Sequence, residues 1–149
     1  MVMTQEGIGT VADAMSEKPI IVHPDATLLE ACLLMEERGI ATCPVVSQTG
    51  ELQGMVSRVD LLRAFRPSRE LPPLTAGEVG RLPVREIMRC GVVTVGPDDP
   101  LVAAVDHFVE TRLHALPVVR SGLGHPVVVG IMTQGDVLRY LLRDAHPGG

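Results

Sequence analysis

The sequence predicts an α+β fold: two tandem β-α-β-β-α repeats with pseudo-two-fold symmetry, whose small mixed sheets are covered by helices. Three observations predict it. The second half repeats the first, each half carries the same order of strand and helix signals, and the apolar residues suit an aliphatic core. Residues 11–65 match residues 84–141 once three residues are inserted in a loop of the second copy. Pro24 corresponds to Pro97, Leu28 to Leu101, Ala31 to Ala104 and Pro44-Val45-Val46 to Pro117-Val118-Val119, a constant offset of 73 residues. After the loop Gly54 corresponds to Gly130, Ser57 to Thr133, Asp60 to Asp136 and Arg63 to Arg139, now offset by 76. Two copies are too few for a solenoid, so one body with a cleft between the copies is expected.

In the first copy, Ile20-Ile21-Val22 reads as a short buried strand stopped at Pro24. Thr27-Leu28-Leu29-Glu30 is a capping box opening a helix, Leu28, Ala31, Cys32 and Met35 form its apolar face, and Gly39 supplies a left-handed stop. A second strand begins at Pro44-Val45-Val46, a third spans 52–56, and a second helix starts near Val59. The second copy is expected to open its first helix with Asp99 as N-cap and Pro100 at the first helical position, with Leu101, Ala104, Val105 and Phe108 on the apolar face. Its third strand spans 127–132 and its last helix starts near Gly135.

The domain boundaries follow: a flexible N-terminus at 1–9, repeat one at 10–65, a Pro- and Gly-rich linker at 66–83, repeat two at 84–144 and a flexible C-terminus at 145–149.

Composition limits the function. Hydrophobic residues are 46% and aromatic residues 2%, which excludes a row of aromatics stacking on bases. A net charge of −5 without a basic block argues against direct nucleic-acid binding. No apolar run reaches the roughly 18 residues of a membrane span, and the N-terminus lacks the pattern of a signal peptide, so a cytoplasmic protein without membrane attachment is expected. Cys32, Cys43 and Cys90 form no CxxC pair, and the five histidines show no ligand spacing, so neither a disulfide framework nor a metal site is expected. No nucleophile has a base at recognisable spacing, and catalytic residues are expected to be absent.

The chemistry concentrates in Gly54-Met55-Val56-Ser57-Arg58-Val59-Asp60 and its echo Gly130-Ile131-Met132-Thr133-Gln134-Gly135-Asp136. Ser57 and Thr133 stand where a strand turns into a helix. They can act as N-caps with an acidic residue at the third helical position, a purely stabilising device. The same geometry can offer amides and a hydroxyl to a phosphate, while an Asp can accept from both hydroxyls of a ribose.

These two motifs, with Pro24-Asp25-Ala26-Thr27-Leu28-Leu29-Glu30-Ala31 and the Pro44-Val45-Val46 corner, resemble paired cystathionine beta-synthase (CBS) domains, the Bateman module. The resemblance covers about 110 of the 149 residues. It implies Asp on the ribose, Ser or Thr toward phosphate and the base in an apolar slot. That slot would draw on Ile20, Ile21, Val93 and Thr94 and be closed by Pro44 and Pro117. It further implies that residues just before each proline come from the sister copy to meet the phosphates: His114 and Ala115 in copy two, Ala41 and Thr42 in copy one.

Two sites are therefore expected. One sets Ser57, Arg58 and Asp60 opposite His114 and suits a phosphorylated ligand. The other sets Thr133, Gln134 and Asp136 opposite Ala41 and Thr42 and suits S-adenosylmethionine or nothing. Ile21 departs from the family's usual Thr, which Thr94 retains. The implied function is a stand-alone regulatory module that needs no cofactor, binds AMP, ADP, ATP or S-adenosylmethionine between its repeats, forms a homodimer, and signals by a conformational shift to an unidentified regulated protein. The alternative is a ligand-free dimerisation or protein-interaction module.

Overall fold

The computed structural model describes residues 8–66, 74–122 and 124–145. Most of the two expected flexible termini, and residues 67–73 of the expected linker, lie outside the described residues. In chain order the elements are α1 (Val11–Ala14), α2 (Leu28–Arg38), β1 (Thr42–Val46), β2 (Leu52–Ser57), α3 (Arg58–Ala64), α4 (Ala76–Gly80), a 3₁₀ turn (Val84–Glu86), α5 (Leu101–Thr111), β3 (Ala115–Ser121), β4 (Pro126–Thr133) and α6 (Gln134–Ala145). Each repeat thus carries a helix, an antiparallel strand pair and a second helix, the expected α+β architecture.

The compact units are cut differently from the repeats in sequence. Ile20–Val92 form one unit, and the segment ending at Pro19 joins Val93 onward in the other. The leading segment of each repeat therefore packs with the opposite repeat's sheet.

In the Ile20–Val92 unit, β1 and β2 pair antiparallel from Thr42 with Ser57 to Val45 with Gly54, and the register slips between Val45 and Val46. The expected first strand contracts to a single parallel bridge, Val22 to Val45. The Val22 amide donates to the Pro44 carbonyl at 3.0 Å and the Val46 amide donates to the Val22 carbonyl at 2.8 Å, which satisfies Val22 before Pro24 ends the ladder. The capping box of α2 forms as read: the Glu30 amide donates to Thr27 Oγ1 at 3.1 Å and the Thr27 amide donates to Glu30 Oε2 at 3.2 Å. Gly39 closes α2 at φ 63°. Val22, Leu28, Ala31, Met35, Val45 and Val56 build an aliphatic core.

The expected linker contains ordered structure in its described part. Thr75 and Glu78 form a capping box that opens α4, and Val79 and Val84 are buried in the same core. The Val84 amide donates to the Ala26 carbonyl at 2.7 Å, so this segment is anchored to the turn before α2.

The second unit repeats the plan. β3 and β4 pair antiparallel with a slip between Val118 and Val119, and Val95 makes the parallel bridge to Val118. Val95, Leu101, Ala104, Phe108, Leu116 and Met132 form its core, to which α1 adds Val11 and Ala14. One expectation is corrected here: α5 begins at Leu101 with Pro100 in the N-cap position and no side-chain cap. Asp99 instead accepts from the Gly96 amide at 2.8 Å, closing the preceding turn, and the Leu101 amide is satisfied by the Gly9 carbonyl at 2.8 Å. A partner from the N-terminal segment replaces the cap. Ile8 is buried and Gly9 adopts φ 92°, so at least these residues of the segment belong to the packed unit.

Candidate functional site

The two motifs occupy equivalent places, each at the junction of a sheet's second strand and the following helix. In the Ile20–Val92 unit the Asp60 amide donates to Ser57 Oγ at 3.1 Å, and the Ser57 amide donates to Asp60 Oδ2 at 2.9 Å. In the other unit the Asp136 amide donates to Thr133 Oγ1 at 3.1 Å, and the Thr133 amide donates to Asp136 Oδ2 at 2.9 Å. Both motifs are thus reciprocal capping boxes, the stabilising role their spacing permits.

The glycine that opens each motif has an equally local cause. A Cβ on Gly54 would stand 2.5 Å from the Arg89 carbonyl oxygen, and one on Gly130 would stand 2.7 Å from that of Ser16. At these points another backbone segment crosses the strand. Met55 and Arg89 exchange amide-to-carbonyl bonds of 3.0 and 2.8 Å, as Ile131 and Ser16 do at 3.0 and 2.9 Å.

The second carboxylate oxygen distinguishes the motifs. Asp60 Oδ1 accepts from Arg89 Nε at 2.9 Å and lies 3.5 Å from an Arg63 terminal nitrogen. Asp136 Oδ1 accepts from Arg139 at 2.7 Å. Arg63 and Arg139 are repeat equivalents, whereas Arg89 stands where the other copy has Ser16. Asp60 is 5% exposed, while Asp136 is half-buried.

Arg58 and Gln134 share another role. Arg58 Nε donates to the Ile40 carbonyl at 2.9 Å and a terminal nitrogen donates to the Met35 carbonyl at 3.3 Å; Gln134 Nε2 donates to the Leu113 carbonyl at 2.8 Å. Each binds a carbonyl just past the end of a helix, Ile40 after α2 and Leu113 after α5. The Met35 carbonyl that Arg58 also reaches already accepts from the Gly39 and Ile40 amides, and the Arg58 cation complements the negative end of α2. The Arg58 amide donates to the Ala41 carbonyl at 2.9 Å, and the Gln134 amide donates to the His114 carbonyl at 3.4 Å.

The remaining expected residues fall as follows. Pro44 and Pro117 are fully buried, and their carbonyls accept from Val22 and Val95 respectively. Ile20 packs on one core and Val93 on the other, Thr94 is half-buried, and Ile21 points outward at 36% exposure. Ala41 and His114 are exposed and Ala115 is buried. Thr42 Oγ1 donates to the Val56 carbonyl at 3.4 Å. Ser57, Arg58, Asp60, Ile20, Ile21, Ala41, Thr42 and Pro44 lie in one unit and the other candidates in the second.

Arg89 and the box partner Arg63 escaped the sequence reading. Arg63 carried a usable signal, three residues after Asp60 and repeated as Arg139. Arg89 carried none, since 29 residues separate it from Asp60.

A cleft of about 320 Å³ opens between α2 and α3, lined by Cys32, Met35, Glu36, Arg58, Leu61, Leu62 and Phe65. Ser57 and Asp60 are not among its walls. Burial pushes the Cys43 thiol up to about 12, and raises Cys32 by the same cause. No group of three or more His, Cys, Asp or Glu side chains among the described residues is placed to hold a metal ion. No helix among the described residues is long and apolar enough to cross a membrane.

Residues 11–67 and 84–143 each match the model of the CBS domain. The chain belongs to the CBS domain family. This CBS pair is 30% identical over 130 residues to the CBS domain-containing protein YhcV of Bacillus subtilis, covering 87% of this chain and 84% of that protein. It is 28% identical over 134 residues to the A-adding tRNA nucleotidyltransferase of Aquifex aeolicus, covering 90% of this chain but 14% of that enzyme. Among solved structures, CBSX2 in complex with AMP superposes with a TM-score of 0.77 at 28% identity, covering 93% of this chain and 99% of that one. The CBS domain pair of protein MJ0100, in complex with 5′-methylthioadenosine and S-adenosyl-L-methionine, superposes with a TM-score of 0.73 at 25% identity, covering 92% and 98%.

Proposed function

We propose that this CBS pair is a regulatory module that binds an adenosine-containing ligand, AMP, ADP, ATP or S-adenosylmethionine, and signals its occupancy to a partner. The observation that carries the reading is the pair of intact Ser/Thr-x-x-Asp boxes, one per unit, in a chain whose structural relatives were solved with AMP or with S-adenosyl-L-methionine and 5′-methylthioadenosine. Each box presents an Asp whose Oδ1 faces exposed arginine side chains rather than buried backbone, so a ribose diol can exchange for a side chain without unfolding the helix start. Ligand binding that differs between two arrangements of the pair would shift their populations, and the shift cannot exceed that difference in affinity.

Isothermal titration calorimetry of nucleotide-free protein with AMP, ATP and S-adenosylmethionine tests the reading. Micromolar binding that the Asp60→Ala/Asp136→Ala double variant loses supports it; affinity unchanged in that variant removes the adenosyl assignment.

A ligand-free interaction module is the second reading. It is favoured by the fact that both carboxylates already have protein partners, and by apolar side chains exposed on the helices, among them Leu33, Leu62, Val109, Leu138 and Leu142. Self-association through such faces belongs to either reading. Light scattering that returns the monomer mass at all concentrations would remove it.

A further inference from the structure

We infer that Arg89 makes the Asp60 half-site selective for adenosyl ligands carrying an anionic group over the neutral nucleoside. The inference rests on the adenosyl reading above and concerns one unit alone. Arg89 Nε donates to Asp60 Oδ1 at 2.9 Å, while the guanidinium side chain remains 61% exposed. A ribose that takes over Oδ1 must displace this contact.

With a neutral nucleoside, the displaced cation has lost its counter-ion and gains nothing. With a phosphorylated one, the same planar fork finds phosphate oxygens beside the ribose, and one charge-assisted contact replaces another. The discrimination is thus a difference between two ligands, produced by a residue that penalises one of them.

The other unit supplies the internal comparison. At the repeat-equivalent position stands Ser16, and Asp136 Oδ1 faces Arg139. Arg63, the equivalent of Arg139, also lies by Asp60, so Arg89 is the charge on the Asp carboxylate that the two half-sites do not share. Arg58, which replaces Gln134, is engaged by the Ile40 and Met35 carbonyls instead. The Arg89 backbone is held independently of its side chain by both of its bonds to Met55. A substitution there changes the charge while the crossing of the two segments is retained.

The test reads the Asp60 half-site alone by working in an Asp136→Ala background and comparing dissociation constants for AMP and adenosine by calorimetry. The expected result is a preference for AMP that falls about tenfold or more with Arg89→Ser and is largely kept with Arg89→Lys. Urea midpoints confirm that each variant is folded. A preference unchanged by Arg89→Ser, or an equal loss of both ligands in a folded variant, overturns the role of Arg89 and leaves the adenosyl reading standing. Failure of the Asp136→Ala background and of the unsubstituted protein to bind either ligand overturns both.

Discussion

Gly54 lies against the carbonyl oxygen of Arg89, so closely that a Cβ would stand 2.5 Å away, also touching the Met88 side chain at 3.2 Å. Gly130 repeats the relationship with Ser16 and Met15. The motif glycine is therefore required by the segment that crosses the strand, independently of any ligand.

Gly54→Ala should lower stability by about 1–3 kcal/mol, because the opposing atom is backbone and must move with its segment. Gly77→Ala, in α4, where a Cβ would find its nearest neighbour, Thr75 Oγ1, 3.9 Å away, should be neutral or gain about 0.5–1 kcal/mol. Urea denaturation midpoints at a common slope check the pair, and equal losses would remove the crowding argument.

Arg112 closes α5 at φ 56°, the place that Gly39 fills at φ 63° in the first copy. A left-handed residue with a Cβ is strained, so Arg112→Gly should raise stability by about 0.5–1 kcal/mol, the strain relieved less the added chain entropy of glycine. A thermal midpoint that stays or falls would show that the Arg112 side chain contributes more than its backbone strain removes.

Asp60 and Asp136 should differ as stability determinants although they are repeat equivalents. Asp60 is 5% exposed and receives one amide and two arginines; Asp136 is less buried and receives one amide and one arginine. Asp136→Ala should lose about 1 kcal/mol, the ordinary worth of a capping interaction, and Asp60→Ala more, up to about 3 kcal/mol. Denaturation of the two single variants decides the ranking.

Cys43 carries a thiol that burial raises to about 12, and its Sγ donates to the Ile20 carbonyl at 3.1 Å. Because the folded state holds this proton more tightly than the unfolded chain, its contribution is complete below the unfolded value near 9 and is lost as pH climbs toward 12. Stability should therefore fall across that window by up to about 1.4 kcal/mol per pH unit, and Cys43→Ala should flatten the slope. At pH 8 a thiol reagent should label exposed Cys90 quickly and Cys43 only on unfolding.

The sequence by itself determined what is local and periodic. Thr27-x-x-Glu30, Ser57-x-x-Asp60 and Thr133-x-x-Asp136 are boxes closed within one helical turn, so their hydrogen bonds follow from spacing alone. The apolar periodicity of α2 and α5 identified Leu28, Ala31, Met35, Leu101, Ala104 and Phe108 as core, since one helix face must leave water. The fixed offset of each landmark established the two-copy organisation, and the motifs within the copies carried the resemblance to paired CBS domains.

Only the tertiary structure decided which distant segments meet. The exchange of the Met15-Ser16 and Met88-Arg89 segments between copies, the bonds of Arg58 to the end of α2, the loss of the expected Asp99 cap to Gly9 and the seat of Arg89 on Asp60 all join residues with no pattern between them. Backbone groups and charges pair with whatever the packed core brings within hydrogen-bond reach, and that selection depends on three-dimensional closure. A single strand or helix, read along its own length, does not contain it.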